Sequence, residues 1–533
     1  MGSRLKSEVL DGLRALLGER VDASASTCEA YGRDLSTLGH LGYATEAADG
    51  GPGYAPPDVV VHPRTADEVA AIARLCHQRG VPLIPWGAGS GVSGGTLAVR
   101  GGVALDLKGL DRIDPVDRVS QLVRVEAGVN LQLLEDALTR QGYTLAHHPS
   151  SITCSTIGGA VAARGAGQLS TRYGKIEDMV AGVEVVLADG TRVATPVAPR
   201  AATGPDWNHL FTGCEGTLGI IVAQTLRVQR LPALRRFLAF EFPDLEAAFA
   251  AIRESLQRGA RPAAVRLYDP LDTLLVAGAG DGPPPPPAAD QAPAGTEWPL
   301  AGLSLDRLAE LLAGAAPDLG GLGKRALLGR PALANRLTRS LPGVGCLLLL
   351  TCEGEPELAQ AEARLVERVC REVGGRDRGP QPAERWWRNR IAVSHKQTGV
   401  YALGGFVDTM EVATSWSRLG ALHDQVRAAI APHALVMAHF SHAYLDGCSI
   451  YFTFAGLRDG AAETIERHQR AWQDGLAAAV ACGAVISHHH GVGTLKADAL
   501  RASHGALHSA VFVPIKGALD PRNVLNPGKL GLP

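Results

Sequence analysis

The order of apolar and polar positions predicts strands and helices in alternation through the first half of the chain. Val59-Val60-Val61 is a short apolar run typical of a buried strand. Thr65, followed three residues later by Glu68, is a capping box that opens a helix with a helical apolar period. Val81–Ile84 predicts a second strand. A strand, a helix and a strand so close together indicate a compact α/β unit with a right-handed crossover.

The pattern changes along the remainder of the chain. Between about 103 and 230, short strands and helices alternate, and Asp189-Gly190 predicts the turn of a β-hairpin. From about 233, "VGCLLLLTCEGEPELAQAEARLVERVCREVGG" predicts a strand followed by a long helix, as in an antiparallel sheet with helices on one face. The Pro-rich stretch 282–295 predicts an exposed, flexible loop.

Composition narrows the functional classes. Lys and Arg total 52 and Asp and Glu total 54 among 533 residues, so the net charge of −2 gives no support to a nucleic-acid partner. Nine scattered cysteines without a C-x-x-C pair are typical of reduced thiols, and we expect a cytoplasmic protein. No apolar run is long enough to span a membrane, and the first twenty residues predict a surface helix rather than a secretory signal.

A first glycine-rich loop follows the second predicted strand. Glycine permits backbone conformations that let successive amides converge on an anion such as a pyrophosphate. No Gly-Lys-Ser/Thr follows, and the spacing differs from Gly-x-Gly-x-x-Gly, which disfavours nucleotide sites of those two kinds. A merely flexible loop is the alternative. The predicted cradle consists of Pro85, Trp86, Gly87, Ala88, Gly89, Ser90 and Gly91.

A second segment of small residues runs from Ser150 to Gly167, "SSITCSTIGGAVAARGAG". A flat, bulky ligand lying along the backbone would require side chains this small. Two such segments favour a cofactor site over loop flexibility.

The C-terminal part carries a cluster of polar residues. A lone Tyr or His on a strand is usually structural, and three consecutive histidines are also compatible with an exposed turn. Three neighbours on an extended segment alternate in direction, so at most two of them are expected to face one site. The cluster comprises His439, His442, Tyr451, His488, His489 and His490.

Four ordered blocks resemble the FAD-binding domain of the vanillyl-alcohol-oxidase-like flavoproteins: "PRTADEVAAIARLCHQRGVPLIPWGAGSGVSGG", "PSSITCSTIGG", "YGKIEDMV" and "GCEGTLGIIVAQTLRV". The resemblance covers about residues 55–232 and implies FAD as the cofactor. It implies that the Pro85–Gly91 loop holds the pyrophosphate. It places the ribityl chain and flavin along Ser150, Ser151, Ile152, Thr153, Cys154, Ser155, Thr156, Gly158, Gly159, Ala163, Arg164, Gly165 and Ala166. The adenine half would contact Glu215, Gly216, Thr217, Leu218, Gly219, Ile220 and Ile221.

"DGCSIYFTF", "SHHHGVGTLK" and "RPAAVRLYD" resemble the alkylglycerone-phosphate synthases within that superfamily. The resemblance implies Tyr451 as acid/base, His488–His490 in support and Arg266 as a required arginine. The implied reaction exchanges the acyl chain of acyl-dihydroxyacetone phosphate for a fatty alcohol through a flavin N5 adduct. Because a phenol needs nearby cations or donors to act as a base near neutrality, we expect the histidines and Arg266 to supply them.

One position departs from that family. Its phosphate-binding arginine corresponds to Lys396 or Gln397, and a lysine binds an anion only as a point charge. Lys396 and Arg266 are therefore the expected substrate contacts, and a carboxylate substrate becomes an alternative to a phosphate.

A FAD-dependent dehydrogenase of D-2-hydroxy acids such as D-lactate or glycolate is the main alternative. Some dehydrogenases of that kind bind a divalent metal, and the histidine cluster with Asp446 offers ligands, but no spacing fixes a set, so we expect no metal. A flavin-binding protein without turnover is disfavoured by the polar cluster around Tyr451.

Together these interpretations predict an α+β fold, in which a two-subdomain FAD-binding domain of the p-cresol-methylhydroxylase (PCMH) type is joined to an antiparallel-sheet cap domain with helices on one face. The expected units are a helical lead-in (1–54), the FAD domain (55–232), the cap (233–440) and a C-terminal segment (441–533) that returns to the FAD domain. We expect a small-molecule or lipid-like substrate, a homodimer, and compatibility with peripheral membrane contact.

Overall fold

The computed structural model describes residues 6–37, 56–278, 328–339, 344–391, 398–458 and 460–533. The Pro-rich stretch 282–295 and the expected substrate residue Lys396, with Gln397, lie outside the described residues. Among the described residues, no helix is both long enough and apolar enough to cross a membrane.

The helices fall in three groups along the chain. The N-terminal group is α1 (Ser7–Leu17), α2 (Ala25–Ala30), α3 (Ala66–Arg79), α4 (Leu131–Thr139), α5 (Ile157–Ala162), α6 (Ser170–Tyr173), α7 (Ile176–Met179) and α8 (Trp207–Phe211). The middle group is α9 (Leu245–Gln257), α10 (Pro270–Gly278), α11 (Pro331–Arg339), α12 (Pro356–Glu372), α13 (Gln381–Asn389), α14 (Thr398–Tyr401) and α15 (Leu419–Ile430). The last group is α16 (Ala461–Ala481), α17 (Ala497–His504) and α18 (Val513–Leu519).

The strands of the first half are β1 (Val21–Asp22), β2 (Val59–Val61), β3 (Leu83–Trp86), β4 (Val103–Asp106), β5 (Leu122–Glu126), β6 (Tyr143–Thr144), β7 (Val180–Val186), β8 (Arg192–Ala194), β9 (Ile220–Arg227) and β10 (Gln229–Arg230). Those of the second half are β11 (Leu234–Phe242), β12 (Ala264–Tyr268), β13 (Cys346–Gly354), β14 (Arg376–Asp377), β15 (Phe406–Ser415), β16 (Leu435–Ala443) and β17 (Gly447–Gly456).

The predicted α/β unit near the N-terminus is confirmed. Strands β2, β4 and β3 pair in parallel, and Thr65 caps α3 by accepting from the Glu68 amide. The second strand begins two residues later than predicted, at Leu83, because Pro82 precedes it and has no N–H to donate. The first glycine-rich loop therefore leaves the carboxyl end of a buried parallel strand.

A second sheet has the order β5-β9-β7-β8 and is antiparallel. The predicted hairpin is present, but its turn is longer than Asp189-Gly190. Leu187 donates to Thr191 and Gly190 donates to Leu187, so five residues connect β7 to β8. This sheet and the first one enclose two hydrophobic cores.

The predicted antiparallel sheet with helices on one face is confirmed in the second half. Within the described residues its order is β14-β11-β13-β12-β16-β17-β15. Alternate residues such as Val265, Phe440 and Phe452 point into a core shared with α9, α12, α15 and α16. Their neighbours Arg266, His439 and Tyr451 must point to the opposite face. The sheet thus separates a helix-covered core from a polar surface.

The C-terminal residues lie against the first sheet. Leu83 donates to Val524 and Asn526 donates back to the Leu83 carbonyl, at 2.7 and 3.0 Å. The side-chain amide of Asn526 also donates to the backbone carbonyls of Gly95 and Glu215. These contacts join the end of the chain to the first glycine-rich loop.

Candidate active site

Polar side chains converge on the face of the large sheet opposite its main helix-covered core, next to the part of that face on which α13 packs. Strand register places Glu411 and His439 on either side of Tyr451, in neighbouring strands. Arg266 pairs in register with Ser441 on the next strand along. Because side chains on one face of a sheet alternate with those of the other, these residues share one surface.

The Tyr451 hydroxyl is the centre of this cluster. It lies 2.5 Å from Nε2 of His490 and 3.2 Å from Nε2 of His489. The ring of His439 stacks on the Tyr451 ring, with centroids 4.8 Å apart and planes 12° apart. A phenol with two imidazole nitrogens in hydrogen-bonding reach can give up and recover a proton.

The expectation that at most two of the three consecutive histidines face one site is wrong. Residues 486–490 form bends rather than an extended strand, and the rings of His489 and His490 lie 4.5 Å apart. Nδ1 of His488 lies 2.9 Å from Nδ1 of His489. All three imidazoles therefore belong to one cluster, because the alternation of an extended chain does not apply to a bent one.

The bend is held by the carboxylate of Glu411. It accepts hydrogen bonds from the amides of His489 and His490 and from the Ser487 hydroxyl. Its other oxygen is 2.6 Å from Nζ of Lys496, and neither side chain is exposed. Neither Glu411 nor Lys496 was predicted from the sequence as a site residue. Glu411 carried a signal, since it is an acid between two apolar strand residues, Met410 and Val412.

A second chain of contacts extends from His488. The Tyr444 hydroxyl is 3.0 Å from Nε2 of His488, and the His442 ring stacks on His488 at 5.0 Å. Nδ1 of His442 is 2.6 Å from the hydroxyl of Ser170, on α6. His442 has a φ of 57° at a β-bulge, which turns its side chain from the strand toward this group.

Four imidazoles of this cluster act as neutral donors and acceptors rather than as cations. Burial lowers the pKa of His488 to about 3 and holds the pKa values of His489, His442 and His439 well below the usual range. Burial, reinforced by the charge of Glu411, raises the pKa of Tyr451. At neutral pH Tyr451 is therefore a neutral phenol that needs a partner to accept its proton.

The two glycine-rich segments meet beside this cluster. The hydroxyls of Ser90 and Ser155 lie 2.9 Å apart, and a side chain at Gly87 would collide with Oγ1 of Thr156. The His488–His490 bend contacts the same region, because the Ser93 hydroxyl donates to the His490 carbonyl. The glycine-rich loops and the histidines therefore line one site.

The residues of this region fit FAD. Among the described residues, the amides of Ala88 to Gly91 donate to no protein acceptor, which leaves them for an anion such as a pyrophosphate. A Cβ added at Gly91 would meet nothing within 4 Å, so the loop opens onto free space. The buried ring of His147 has no partner for either nitrogen in this part of the structure, and Gly165 lies against it.

Other expected cofactor residues occupy different places. The Glu215 carboxylate accepts from the amides of Val492 and Gly493, which ties its loop to the histidine bend. Arg164 donates to the carbonyl of Thr212. Leu218, Ile220 and Ile221 are buried in the hydrophobic cores, Thr217 is fully buried, and Gly216 lies against Pro85 of the first glycine-rich loop.

Arg266 is the arginine nearest the cluster in the strand register. Its Nε donates to the Tyr268 hydroxyl at 3.2 Å, and no carboxylate of the described residues lies within ion-pair distance. Its charge is therefore available to an anionic substrate. A second arginine, Arg390, has its guanidinium 4.0 Å from the centre of the Trp387 ring.

Three residues of the cluster could share a metal ion. One ligand atom each from His442, His488 and His489 lies within 4.8 Å of the others. Asp446, considered as a ligand from the sequence, is not part of that group.

The chain matches two families of known proteins. The family described as "FAD linked oxidases, C-terminal domain" matches residues 231–530, and the family described as "FAD binding domain" matches residues 57–195. The first match covers more than half of the chain. Together they account for the cap, the histidine cluster and the first glycine-rich loop.

Relatives of this chain carry different activities in their names. The alkyldihydroxyacetonephosphate synthase of Trypanosoma brucei brucei is 26% identical, over 99% of this chain and 81% of its own length. A probable mitochondrial D-lactate dehydrogenase of Danio rerio is 25% identical, over 98% and 91%. A solved alkyldihydroxyacetonephosphate synthase superposes with a TM-score of 0.72 at 22% identity, over 99% of this chain and 86% of its own. A solved p-cresol methylhydroxylase superposes with a TM-score of 0.72 at 18% identity, over 100% of this chain and 98% of its own, which establishes the expected PCMH-type fold.

Proposed function

Because the chain belongs to the FAD linked oxidases and its cofactor is FAD, we propose that it catalyses the exchange reaction of the alkyldihydroxyacetonephosphate synthases. In that reaction the acyl chain of acyl-dihydroxyacetone phosphate is replaced by a fatty alcohol. The observation that carries the proposal is the 2.5 Å contact between the Tyr451 hydroxyl and Nε2 of His490, beside the open glycine loop.

The cofactor would be held by the glycine loop of residues 85–91 and by the small residues from Ser150 to Ala166. When bound, FAD supplies an electron-poor ring next to the substrate carbon. Everything else in the reaction is done by side chains of this chain. The cofactor loop and the acid/base residues lie side by side, because hydrogen bonds of Ser93 and Glu215 join the glycine-loop region to the histidine bend.

Tyr451 and His490 act together as the acid/base of the substrate carbon. As Tyr451 oxygen takes the proton from that carbon, its own proton passes to Nε2 of His490. A neutral phenol can thereby act as a base without first ionising, which its raised pKa would oppose. His489 holds the hydroxyl from a second direction, and Glu411 fixes the bend that carries both imidazoles.

Arg266 binds the anionic group of the substrate. It is the arginine nearest Tyr451 in the strand register, and no ion pair joins it to a carboxylate of the described residues. A guanidinium can form two parallel hydrogen bonds to a phosphate or a carboxylate. Arg266 thus fits either anion.

The direct test supplies purified yellow enzyme with palmitoyl-dihydroxyacetone phosphate and hexadecanol. We expect release of palmitate and formation of hexadecyl-dihydroxyacetone phosphate, measured by mass spectrometry. A panel of acyl and alcohol chain lengths guards against a choice of the wrong substrate. No ether product with any chain length would refute the exchange reaction.

Oxidation of a D-2-hydroxy acid is the second candidate. It is favoured by the neutral imidazoles, since an uncharged ring nitrogen beside Arg266 can take the proton of a substrate hydroxyl. The similarity to the Danio rerio protein points the same way. Anaerobic mixing with D-lactate, glycolate or D-2-hydroxyglutarate would then bleach the flavin, and unchanged absorbance with the whole panel would exclude it.

A further inference from the structure

A separate imidazole–carboxylate pair lies beside Tyr451 and has no role in the proton transfer just described. Nδ1 of His439, on β16, is 3.2 Å from Oδ2 of Asp272, on α10. Their side chains are 9% and 12% exposed, so the pair is almost fully enclosed. The two residues are 167 positions apart in the sequence, and only the fold brings them together.

The contact with Asp272 leaves one ring atom of His439 for a ligand. Among the described residues, Nε2 of His439 has no hydrogen-bond partner. Nevertheless it is not among the polar side-chain atoms that are both buried and without a partner. It therefore opens onto accessible space. Since the ring lies flat on Tyr451, that space adjoins the Tyr451 ring.

The exchange reaction moves protons at two different atoms. One leaves the substrate carbon, and the other leaves the hydroxyl of the incoming alcohol. A single acid/base pair that has taken the proton of the substrate carbon would have to release it before it could accept the proton of the alcohol. Two neighbouring bases, one per step, remove that requirement.

We propose that His439, oriented by Asp272, is the base for the incoming alcohol, while Tyr451 and His490 serve the substrate carbon. This assignment rests on the proposed exchange reaction. The fatty acid leaves as a carboxylate with its bonding electron pair. The alcohol O–H bond then breaks, its proton goes to Nε2 of His439, and the oxygen electron pair forms the new C–O bond. The carboxylate of Asp272 offsets the imidazolium charge.

The surroundings of the His439–Asp272 pair determine the pH range in which His439 can accept a proton. Burial, opposed by Arg266, raises the pKa of Asp272 to about 7. Burial and Arg266 keep the pKa of His439 low. Other groups face the pair from neighbouring elements: Tyr268 on β12, Tyr451 on β17, Asp269 before α10, and Arg427 on α15, which pairs with Asp269 at 2.7 Å.

Ionisation of Asp272 therefore selects the His439 tautomer. Below about pH 7 the protonated carboxyl donates to Nδ1, and the ring proton sits on Nε2. Above that pH the carboxylate accepts from Nδ1–H, which leaves a lone pair on Nε2. Only the second form is a base, so the alcohol step is expected to gain rate as pH rises through about 7.

The test uses the FAD-loaded enzyme and separates two partial reactions. Exchange of the substrate-carbon hydrogen with deuterated water reports on Tyr451, and ether formation from hexadecanol reports on both bases. In His439→Gln we expect exchange to persist while ether formation falls about 10²-fold or more. Unchanged ether formation, or an equal loss of both reactions, would overturn the assignment.

Asp272→Asn tests the positioning role without removing the imidazole. We expect the wild-type rise of ether formation through about pH 7 to disappear, while the pH profile of hydrogen exchange stays unchanged. A rise that survives in Asp272→Asn would overturn the role of Asp272. Absence of both partial reactions in the wild type would instead refute the exchange reaction itself, and this assignment with it.

Discussion

The carboxylate of Glu411 and the ammonium of Lys496 lie 2.6 Å apart, and neither side chain is exposed to solvent. Burying two charges is costly, and the pair is tolerated because Glu411 also accepts from Ser487 and from two backbone amides. Those amides belong to the histidines that contact Tyr451. The ion pair is thus the anchor of the proposed acid/base group.

Glu411→Gln should destabilise the fold and disable the site together. The substitution leaves Lys496 buried without its counter-charge, which costs about 3–5 kcal/mol of unfolding free energy. Urea denaturation at pH 7 measures this loss. The matched control is Glu29→Gln, which breaks an exposed pair with Arg33 and should change stability by less than about 1 kcal/mol. Equal effects of the two variants would contradict the anchoring role.

The same carboxylate gives a pH dependence of known sign. Although burial alone would raise it, the charge of Lys496 holds the pKa of Glu411 well below its usual range. Its stabilising contribution is therefore fully present above the unfolded value of about 4.3 and is lost as pH falls below it. The unfolding free energy of Glu411→Gln should fall less steeply below that pH than that of the wild type. Parallel curves would contradict the pairing.

The glycine loop can be tested by filling it. Gly91→Val places a side chain where the protein has open space, so the chain should fold but bind FAD at least about tenfold more weakly. Gly517→Val is the control, because a Cβ there also meets nothing within 4 Å. Visible flavin absorbance per protein measures occupancy. Equal flavin content in the two variants would place the cofactor elsewhere.

The buried histidines should make the protein less stable in mild acid. His488 has a pKa of about 3 when folded and about 6.5 when unfolded, so below pH 6.5 the unfolded chain binds more protons. Stability therefore falls as pH decreases, by about 1 kcal/mol per unit from this residue. His488→Gln should flatten the dependence between pH 6.5 and 4.5, whereas the exposed His504→Gln should not. Identical slopes would contradict a buried neutral His488.

Arg266→Lys tests how the substrate anion is bound. A lysine keeps the charge but loses the planar pair of donors, so KM should rise about 10- to 100-fold with a smaller change in kcat. Arg236→Lys, at an exposed position of β11, is the control. A KM that is unchanged in Arg266→Lys would show that the anion is bound by other residues.

Much of the cofactor region could be read from the sequence, because it depends on local signals. Glycines and small hydroxyl residues after a predicted strand indicate a loop whose backbone amides are free to bind an anion. This signal does not depend on contacts with distant parts of the chain. The large antiparallel sheet was also predictable from its apolar runs. The start of β3 was shifted only because Pro82 cannot enter the strand.

The proposed acid/base machinery could be read only in part. Tyr451 and the histidines stand out by residue type, but their partners come from distant segments: Lys496 is 85 positions from Glu411, and Asp272 is 167 from His439. Such pairings are set by the three-dimensional fold. The neutral state of His489 likewise could not be read from the sequence, because burial, which the sequence does not show, lowers its pKa more than the charge of Glu411 raises it.

The most direct test of the account compares Tyr451→Phe with Tyr143→Phe in the FAD-loaded enzyme, by measuring ether formation from palmitoyl-dihydroxyacetone phosphate and hexadecanol. Tyr451→Phe removes the hydroxyl that contacts His490, and Tyr143→Phe removes one from β6, away from the cluster. We predict that the first variant keeps its flavin but loses activity about 10²- to 10⁴-fold, while the second matches the wild type. Ether formation by Tyr451→Phe at the wild-type rate would contradict the central claim.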